Sequence, residues 1–273
     1  MAKTQEKVVG YLPDETPTTG KLIVFAFQQL LVMFPATVTV ALLTGFHVST
    51  TIFASGLATI AFLLITKGKI PLYYGSSFSY IAAIVSITGA SFGQTAPDAL
   101  ISQAELGIIM SGLVSIAAGL IVSRFGMEVI EKVLPASVTG SIAMVIGISL
   151  AGTAITGAAG WSNGAANDSA WIAGLVTLFS TIAFSVYLKG VLGQLPILFG
   201  ILVGYLVAIP LGLVNFGAIW SGTVISIPHF TLPTASWMAV AAIMPIAIAT
   251  IPESTAHLFQ LDIYVNDLAK RKG

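Results

Sequence analysis

The stretch that decides the fold is Met244-Pro245-Ile246-Ala247-Ile248-Ala249-Thr250-Ile251-Pro252-Glu253-Ser254-Thr255-Ala256-His257-Leu258-Phe259, which ends an apolar segment that begins at about Trp237. It holds one carboxylate, Glu253, and one imidazole, His257, which share one face of a helix about one turn apart. An ionisable group at membrane depth costs at least about 2.5–3.5 kcal/mol and by default marks a substrate or proton pathway. The alternative is that Glu253 lies at the water interface and His257 in a polar helix end. The sequence favours a pathway inside the membrane.

The composition is that of an integral membrane protein. Of 273 residues, 56% are hydrophobic and only 8% are charged, whereas soluble domains have about 25% charged residues. The eleven basic and eleven acidic residues cancel, which excludes a nucleic-acid partner. The chain has no cysteine, so thiol chemistry and cysteine-ligated metal are excluded.

Eight apolar runs have roughly the 17–25 residues that a bilayer span requires. The sequence therefore predicts an all-α polytopic membrane protein with eight transmembrane spans. The predicted spans cover residues 21–44, 48–66, 71–89, 106–123, 133–155, 171–188, 191–214 and 237–259. The predicted connections are an N-terminal tail (1–20), a polar loop with Pro97, Asp98 and Glu105, a charged connection (124–132), an outside loop (215–236) and a C-terminal end (260–273).

The distribution of basic residues predicts the orientation. If the N-terminus is cytoplasmic, all eleven Lys and Arg residues fall on the inside, and the four outside connections contain none. Asp98, Glu105 and Asp168 fall on the outside. Cytoplasmic loops carry an excess of Lys and Arg. We therefore expect a multi-pass protein of the plasma (inner) membrane, embedded in the lipid bilayer with both termini cytoplasmic.

The third predicted span opens with an unusual run, Pro71-Leu72-Tyr73-Tyr74-Gly75-Ser76-Ser77-Phe78-Ser79-Tyr80. Aromatic residues favour extended backbone, and Gly and Ser favour turns and caps. We predict a short extended piece near mid-membrane and then a half-helix that starts around Ser79. The N-terminus of a half-helix offers N–H groups to a ligand, and broken helices mark binding sites in transporters. The alternative is an ordinary helix with a Ser/Gly packing face.

These residues carry a family resemblance. The run from Lys67 to Tyr80 resembles the third-span region of the nucleobase–ascorbate transporter family, in particular the bacterial uracil permeases. Glu253 with His257 resembles that family's eighth-span Glu-His-x-x-His element. The runs 28–37 and 135–140 resemble the family's first span and the start of its fifth. The resemblance extends from about Leu22 to the C-terminus.

The resemblance implies a fourteen-span transporter built as two inverted seven-span repeats. Its core domain would contain spans 1–4 (21–123) and span 8 (237–259), and its gate domain spans 5–7 (133–214). Substrate would lie between the third and tenth spans, and protons would drive uptake as the coupling ion, with no other cofactor. Because the sequence ends after the eighth predicted span, we expect a truncated form that does not transport alone.

The resemblance also implies site residues. Phe78 would supply a backbone N–H to a nucleobase carbonyl, and Glu253 would accept from a ring N–H. His257 would support that carboxylate, and the two would couple transport to protons. Ser77 and Gln28 complete the candidate substrate-binding set, and no metal site is expected.

Two departures from the family pattern leave the base open between the uracil and xanthine classes. The family usually has Gln-His where this chain has Gln28-Gln29, and uracil permeases have His where this chain has Ser254. Both changes alter the hydrogen-bonding groups near the expected ligand.

Two alternative functions remain open. An anion transporter of the sulfate-permease type shares the inverted architecture, but Glu253 would repel its substrate. A non-transporting truncated subunit is a further alternative. An enzyme is not expected, because His47, His229 and His257 are scattered and form no catalytic or metal-ligand pattern. We expect His47 and His229 to be solvated loop residues.

The partners remain open between a homodimer and a separate C-terminal half. Gly200-Ile201-Leu202-Val203-Gly204 matches the small-xxx-small packing pattern. In so apolar a span we expect it to serve packing within the chain rather than a dimer seam.

Overall fold

The computed structural model describes residues 11–70, 72–126, 132, 135–160, 167–188, 195–217 and 227–272, without the side chains of 136, 139, 142, 143, 146, 153 and 255–260. Within these ranges all regular structure is helical, which agrees with the predicted all-α class. The helices are α1 (Thr19–Thr44), α2 (Val48–Ile65), α3 (Ile81–Thr88), α4 (Asp98–Phe125), α5 (Ala136–Ala158), α6 (Asp168–Tyr187), α7 (Pro196–Ala208), α8 (Trp237–Ile243) and α9 (Ala247–Lys272). Short 3-10 turns precede α3 (Phe78–Tyr80) and α9 (Met244–Ile246).

Five helical segments are long and apolar enough to cross a membrane, namely α1, α2, α4, α6 and Trp237–Ser254. Their outer faces are apolar and exposed, as at Leu64, which is 74% exposed. A soluble protein would not present such a surface, so the chain is a multi-pass membrane protein. The number of eight spans stays a prediction, because residues 133–134 and 191–194 of the fifth and seventh predicted spans lie outside the described residues.

The third predicted span is broken where the sequence indicates. Residues 72–77 form no helix, and the 3-10 turn begins at Phe78 and continues into α3. The side chain of Ser77 accepts a hydrogen bond from the N–H of Ser79 at 3.3 Å and so caps the half-helix. Gly75 packs against α1, where an added Cβ would lie 3.3 Å from Met33 Cε. The extended segment therefore lies against the middle of α1.

Helix α4 corrects one predicted boundary. The fourth span was expected to begin at residue 106 after a polar loop, but the helix begins at Asp98 and already includes Glu105. Pro97 precedes the first turn, and an acidic residue there is favoured by the helix dipole. The polar residues therefore belong to the N-terminal turns of α4 and not to a loop.

The last predicted span, 237–259, is also altered. Pro245 has no N–H to give a helix, and a 3-10 turn separates α8 from α9 at this point. Helix α9 then continues to Lys272, so the predicted C-terminal end, 260–273, is helical through residue 272. Lys270, Arg271 and Lys272 lie in its last turn, where cations are stabilised by the helix dipole.

The apolar core holds the half-helix in place. Buried Ile84 and Ile87 of α3 cluster with Ala104 of α4 and with Ala239 and Ile243 of α8. Burial of such side chains contributes about 25 cal/mol per Å² of apolar surface. The half-helix is thus fixed between α4 and α8.

Helices α6 and α7 pack closely at the predicted small-residue positions. An added Cβ at Gly200 would overlap the hydroxyl of Thr181, and one at Gly204 would overlap that of Thr177. The small-xxx-small pattern therefore packs α7 against α6 within the chain.

The two ends of the described chain lie on one face of the molecule. Lys272 pairs with Glu15, and Lys69, in the turn after α2, lies 3.6 Å from Asp14. Helix α1 has 26 residues, so it extends about 39 Å from this face at 1.5 Å per residue. His47, which follows α1, therefore lies on the opposite face.

Candidate functional site

The half-helix and α9 meet at a serine and a carboxylate. The hydroxyl of Ser79 donates a hydrogen bond to Oε2 of Glu253 at 3.1 Å. Ser79 is 8% exposed, while Glu253 is exposed. Phe78, the first residue of the 3-10 turn, is 43% exposed beside them. The structure thus brings Glu253 to the N-terminal end of the half-helix.

Tyr80 ties this meeting point to two further helices. Its hydroxyl lies 2.6 Å from Oγ of Ser111 in α4 and 3.4 Å from Oγ1 of Thr250 in α9. Ser111 is fully buried, so its hydroxyl depends on this contact. Thr250 lies about one turn before Glu253, so the contact joins Tyr80 to the part of α9 that carries the carboxylate.

The other three predicted site residues, Ser77, Gln28 and His257, lie at different places in the structure. Ser77 caps the half-helix and lines the larger of the two cavities described below. Gln28 is half-buried, lies on α1 about two and a half turns before Thr37, and lines neither cavity. His257 belongs to α9, but its side chain lies outside the described residues.

The larger cavity has a volume of about 440 Å³ and lies between α1, α2, α4 and the extended segment. Its polar lining residues include Ser76, Ser77 and Glu105. Oε1 of Glu105 accepts a hydrogen bond from Thr231 at 2.5 Å. Its Oε2 is buried and has no hydrogen-bond partner among the described residues. Glu105 is thus an acidic residue of the cavity wall, distinct from Glu253, which does not line this cavity.

Glu105 was missed because it was assigned to a loop. A signal was present, since Asp98, Ile101, Glu105 and Ile108 follow one another at intervals of three or four residues. This spacing is typical of one helix face. Three of these residues, Ile101, Glu105 and Ile108, line the cavity.

A second cavity, of about 310 Å³, is almost entirely apolar. It is lined by Phe78 and Ile81 of the half-helix region and by Leu150 and Ala154 of α5, among others. Glu253 lines neither cavity. Phe78 thus lines an apolar space next to α5, while its chain neighbour Ser79 contacts Glu253.

Two of the histidines correct the sequence-based expectation. Nε2 of His47 lies 3.0 Å from Oδ1 of Asp98, and Nε2 of His229 lies 2.8 Å from Oδ2 of the same carboxylate. The two imidazole rings are 4.4 Å apart between centroids. The expectation that both are solvated loop residues is not contradicted, because the side chain of His229 is 55% exposed and that of His47 is 25% exposed. The expectation that the histidines are scattered is corrected, because two connections and the start of α4 converge on this face.

Known proteins resemble this chain over nearly all of its length. A family model described as the Permease family matches residues 20–273. The uracil permease of Bacillus caldolyticus is 38% identical over 267 residues, which cover 95% of this chain and 60% of the relative. For the uracil permease of Bacillus subtilis (strain 168), the identity is 33% over 281 residues, with 98% and 62% covered. For that of Escherichia coli (strain K12), it is 33% over 264 residues, with 95% and 59% covered.

The chain spans about 60% of the length of these curated relatives. The similarity includes the broken third span and the Glu253 region, which lie inside the matched range. The chain therefore belongs to the nucleobase–ascorbate transporter family of membrane permeases.

Proposed function

We propose that this chain is the N-terminal portion of a proton-coupled importer of a nucleobase of the uracil or xanthine class. The observation that carries the proposal is the hydrogen bond between Ser79 and Glu253, which places a carboxylate at the start of a half-helix. The relatives named as uracil permeases support the substrate class.

The chemistry of the site suits a nucleobase. Uracil presents alternating N–H and C=O groups along one edge. The N–H groups in the first turn of a helix have no intrahelical partner, so the N–H of Phe78 can donate to a base carbonyl. A carboxylate has about four lone-pair positions, so Glu253 can accept from a ring N–H while it keeps the bond from Ser79.

Proton coupling is assigned to Glu253 and His257. The two residues are four positions apart in α9 and therefore share one helix face. A carboxylate and an imidazole at this spacing can exchange a proton as the site opens to one side of the membrane and then to the other.

The architecture proposed for the complete protein follows from the same assignment. Helices α1–α4, α8 and α9 form the core domain, and α5–α7 belong to the gate domain. The complete protein has fourteen spans in the plasma membrane. Both ends of the 273-residue portion lie on the cytoplasmic side. The exposed side of Glu253 and Phe78 then faces the tenth span, which completes the binding site.

The test is uptake of radiolabelled uracil and xanthine by cells that lack their own nucleobase permeases and express the complete protein to which this sequence belongs. Glu253→Gln keeps the shape but removes the charge. A hydrogen bond to a charged group contributes about 1.5–3 kcal/mol, so we expect uptake to fall by roughly 10- to 150-fold. Glu15→Gln, on the exposed face near Lys272, is the matched control and should keep full uptake.

Unchanged uptake by Glu253→Gln would remove this carboxylate from the mechanism. Uptake that a protonophore does not reduce would exclude proton coupling. Uptake competed by sulfate but not by uracil would indicate the anion-transporter alternative.

A further inference from the structure

We propose that His47, Asp98 and His229 form a binding site for a divalent transition metal, with Zn²⁺ as the best-suited ion. Their ligand atoms all lie within 4.8 Å of one another, and the two nitrogen–oxygen distances are 3.0 and 2.8 Å. Tetrahedral Zn²⁺ with bonds of about 2.0–2.2 Å holds its ligand atoms about 3.3 Å apart. The two nitrogen–oxygen pairs therefore need shifts of only a few tenths of an ångström, whereas the two imidazole nitrogens, which lie within 4.8 Å of each other, approach by up to about 1.5 Å when all three residues bind one ion.

The type of ligand determines the class of ion. Two imidazole nitrogens and one carboxylate oxygen suit Zn²⁺, Co²⁺ or Ni²⁺, whereas Mg²⁺ and Ca²⁺ prefer oxygen alone. Three protein ligands leave a fourth position for water. The site differs in place and residues from the Ser79–Glu253 contact, so it goes beyond the proposed transport function.

The three ligand residues are positioned by hydrogen bonds other than those between the ligand groups themselves. The hydroxyl of Thr50 in α2 donates to the backbone carbonyl of His229. The N–H of Thr234 donates to the carbonyl of Ser102 in α4 at 3.0 Å. The segment that carries His229 is thus held against α2 and α4, and the ligands are brought together without help from the ion.

His47 and Asp98 are equally fixed by backbone structure. His47 is the N-cap residue of α2, where its carbonyl accepts the N–H of Thr51 at 3.0 Å. Asp98 is the first residue of α4. Preorganised ligands lose little conformational entropy on binding, which favours a specific site.

The local charge favours a cation. The sequence contains no Lys or Arg in residues 22–66, 70–123 or 190–269, the ranges that contain the three ligands. With neutral histidines the cluster has a charge of −1, which attracts a divalent cation. His47 and His229 also line the larger cavity, so a bound ion would hold the 227–236 segment over this end of it.

The test uses the purified 273-residue chain in lipid nanodiscs, freed of metal with a chelator. Titration calorimetry with Zn²⁺ should show one ion per chain, and Co²⁺ should give the visible absorption bands of an ordered nitrogen and oxygen site. Loss of outer-shell partners already weakens metal sites about 10- to 100-fold. We therefore expect Asp98→Asn and His229→Asn each to weaken Zn²⁺ binding at least about tenfold.

Two matched controls should bind as the unaltered chain does. Asp168→Asn makes the same change at the first residue of α6, and Asp262→Asn makes it at an exposed residue of α9. Zn²⁺ should raise the melting temperature of the unaltered chain and of both controls, because a ligand that binds the folded state stabilises it. It should leave that of His229→Asn unchanged.

Absence of saturable Zn²⁺ binding by the unaltered chain would overturn the proposal. Binding of Zn²⁺ by Asp98→Asn and His229→Asn as tight as that by the unaltered chain would overturn it as well. If Asp98→Asn fails to fold, His229→Asn decides, because the His229 side chain is 55% exposed and lies in a connection.

Discussion

The hydroxyl of Ser79 donates a hydrogen bond to Glu253 although the two residues lie 174 positions apart in the chain. The contact joins the broken third span to the last helix at the point where the half-helix begins. It fixes the carboxylate next to Phe78 and gives the proposed nucleobase site its geometry.

Removal of this hydroxyl should weaken transport less than removal of the carboxylate. Ser79→Ala leaves Glu253 charged but less well oriented, and a typical hydrogen bond contributes about 0.5–1.5 kcal/mol. We expect the apparent KM for uptake by the complete protein to rise about 2- to 12-fold. Ser86→Ala, at an exposed serine that bonds only within α3, should leave KM unchanged. Equal KM values for Ser79→Ala and the unaltered protein would mean that the contact does not orient the site.

Tyr80→Phe should lower stability, because the buried hydroxyl of Ser111 loses its partner. A buried polar group left unpaired costs about 1–3 kcal/mol. The melting temperature of the purified chain should therefore fall by several degrees. Tyr187→Phe serves as the control, since Tyr187 is 80% exposed at the end of α6. A fall of equal size in both variants would show that the Tyr80 contact is not specific.

Gly107→Ala should disturb the packing of α4 against α8. An added Cβ would lie 2.7 Å from the carbonyl oxygen of Ala239 and 2.8 Å from Cβ of Ile243. Overpacking of this kind costs about 1–3 kcal/mol, and we expect a matching loss of thermal stability. Gly112→Ala in the same helix meets no atom within 4 Å.

The two alanine variants should therefore differ in thermal stability: Gly107→Ala should lower it and Gly112→Ala should not. Alanine is about 1 kcal/mol more favourable than glycine in a helix, so Gly112→Ala should be neutral or stabilising. A Gly107→Ala chain as stable as Gly112→Ala would contradict the close approach of α4 and α8.

Gly200→Ala should separate α6 from α7 without changing the oligomeric state. The new methyl group overlaps the hydroxyl of Thr181, and the cost is about 1–3 kcal/mol. Thr181→Ala in the same chain should recover part of the loss, because contacting residues couple in a double-mutant cycle. A change of oligomeric state in light scattering, with no change in melting temperature, would instead place this glycine in a dimer seam.

The sequence was sufficient for features that depend on local composition. Apolar runs of membrane length indicated the class, and Gly75, Ser76 and Ser77 between aromatic residues indicated the break before α3. It was insufficient for Glu105, because a carboxylate close to a water-exposed helix start looks like a loop residue. The spacing of Ile101, Glu105 and Ile108 indicates a common helix face, but only the packed structure shows that these residues line a cavity and that Glu105 contacts Thr231, 126 positions away.

By itself, the sequence determined that this protein is an all-α membrane protein with an interrupted third span and a carboxylate in its last apolar segment. Hydropathy, backbone preference and i, i+4 spacing are properties of neighbouring residues, so they can be read without the fold. The tertiary structure alone decided which residues contact each other. Ser79 contacts Glu253, and His47 and His229 contact Asp98 across 51 and 131 positions. Such contacts depend on how the helices pack, and packing is set by the whole chain at once and not by any one stretch of it.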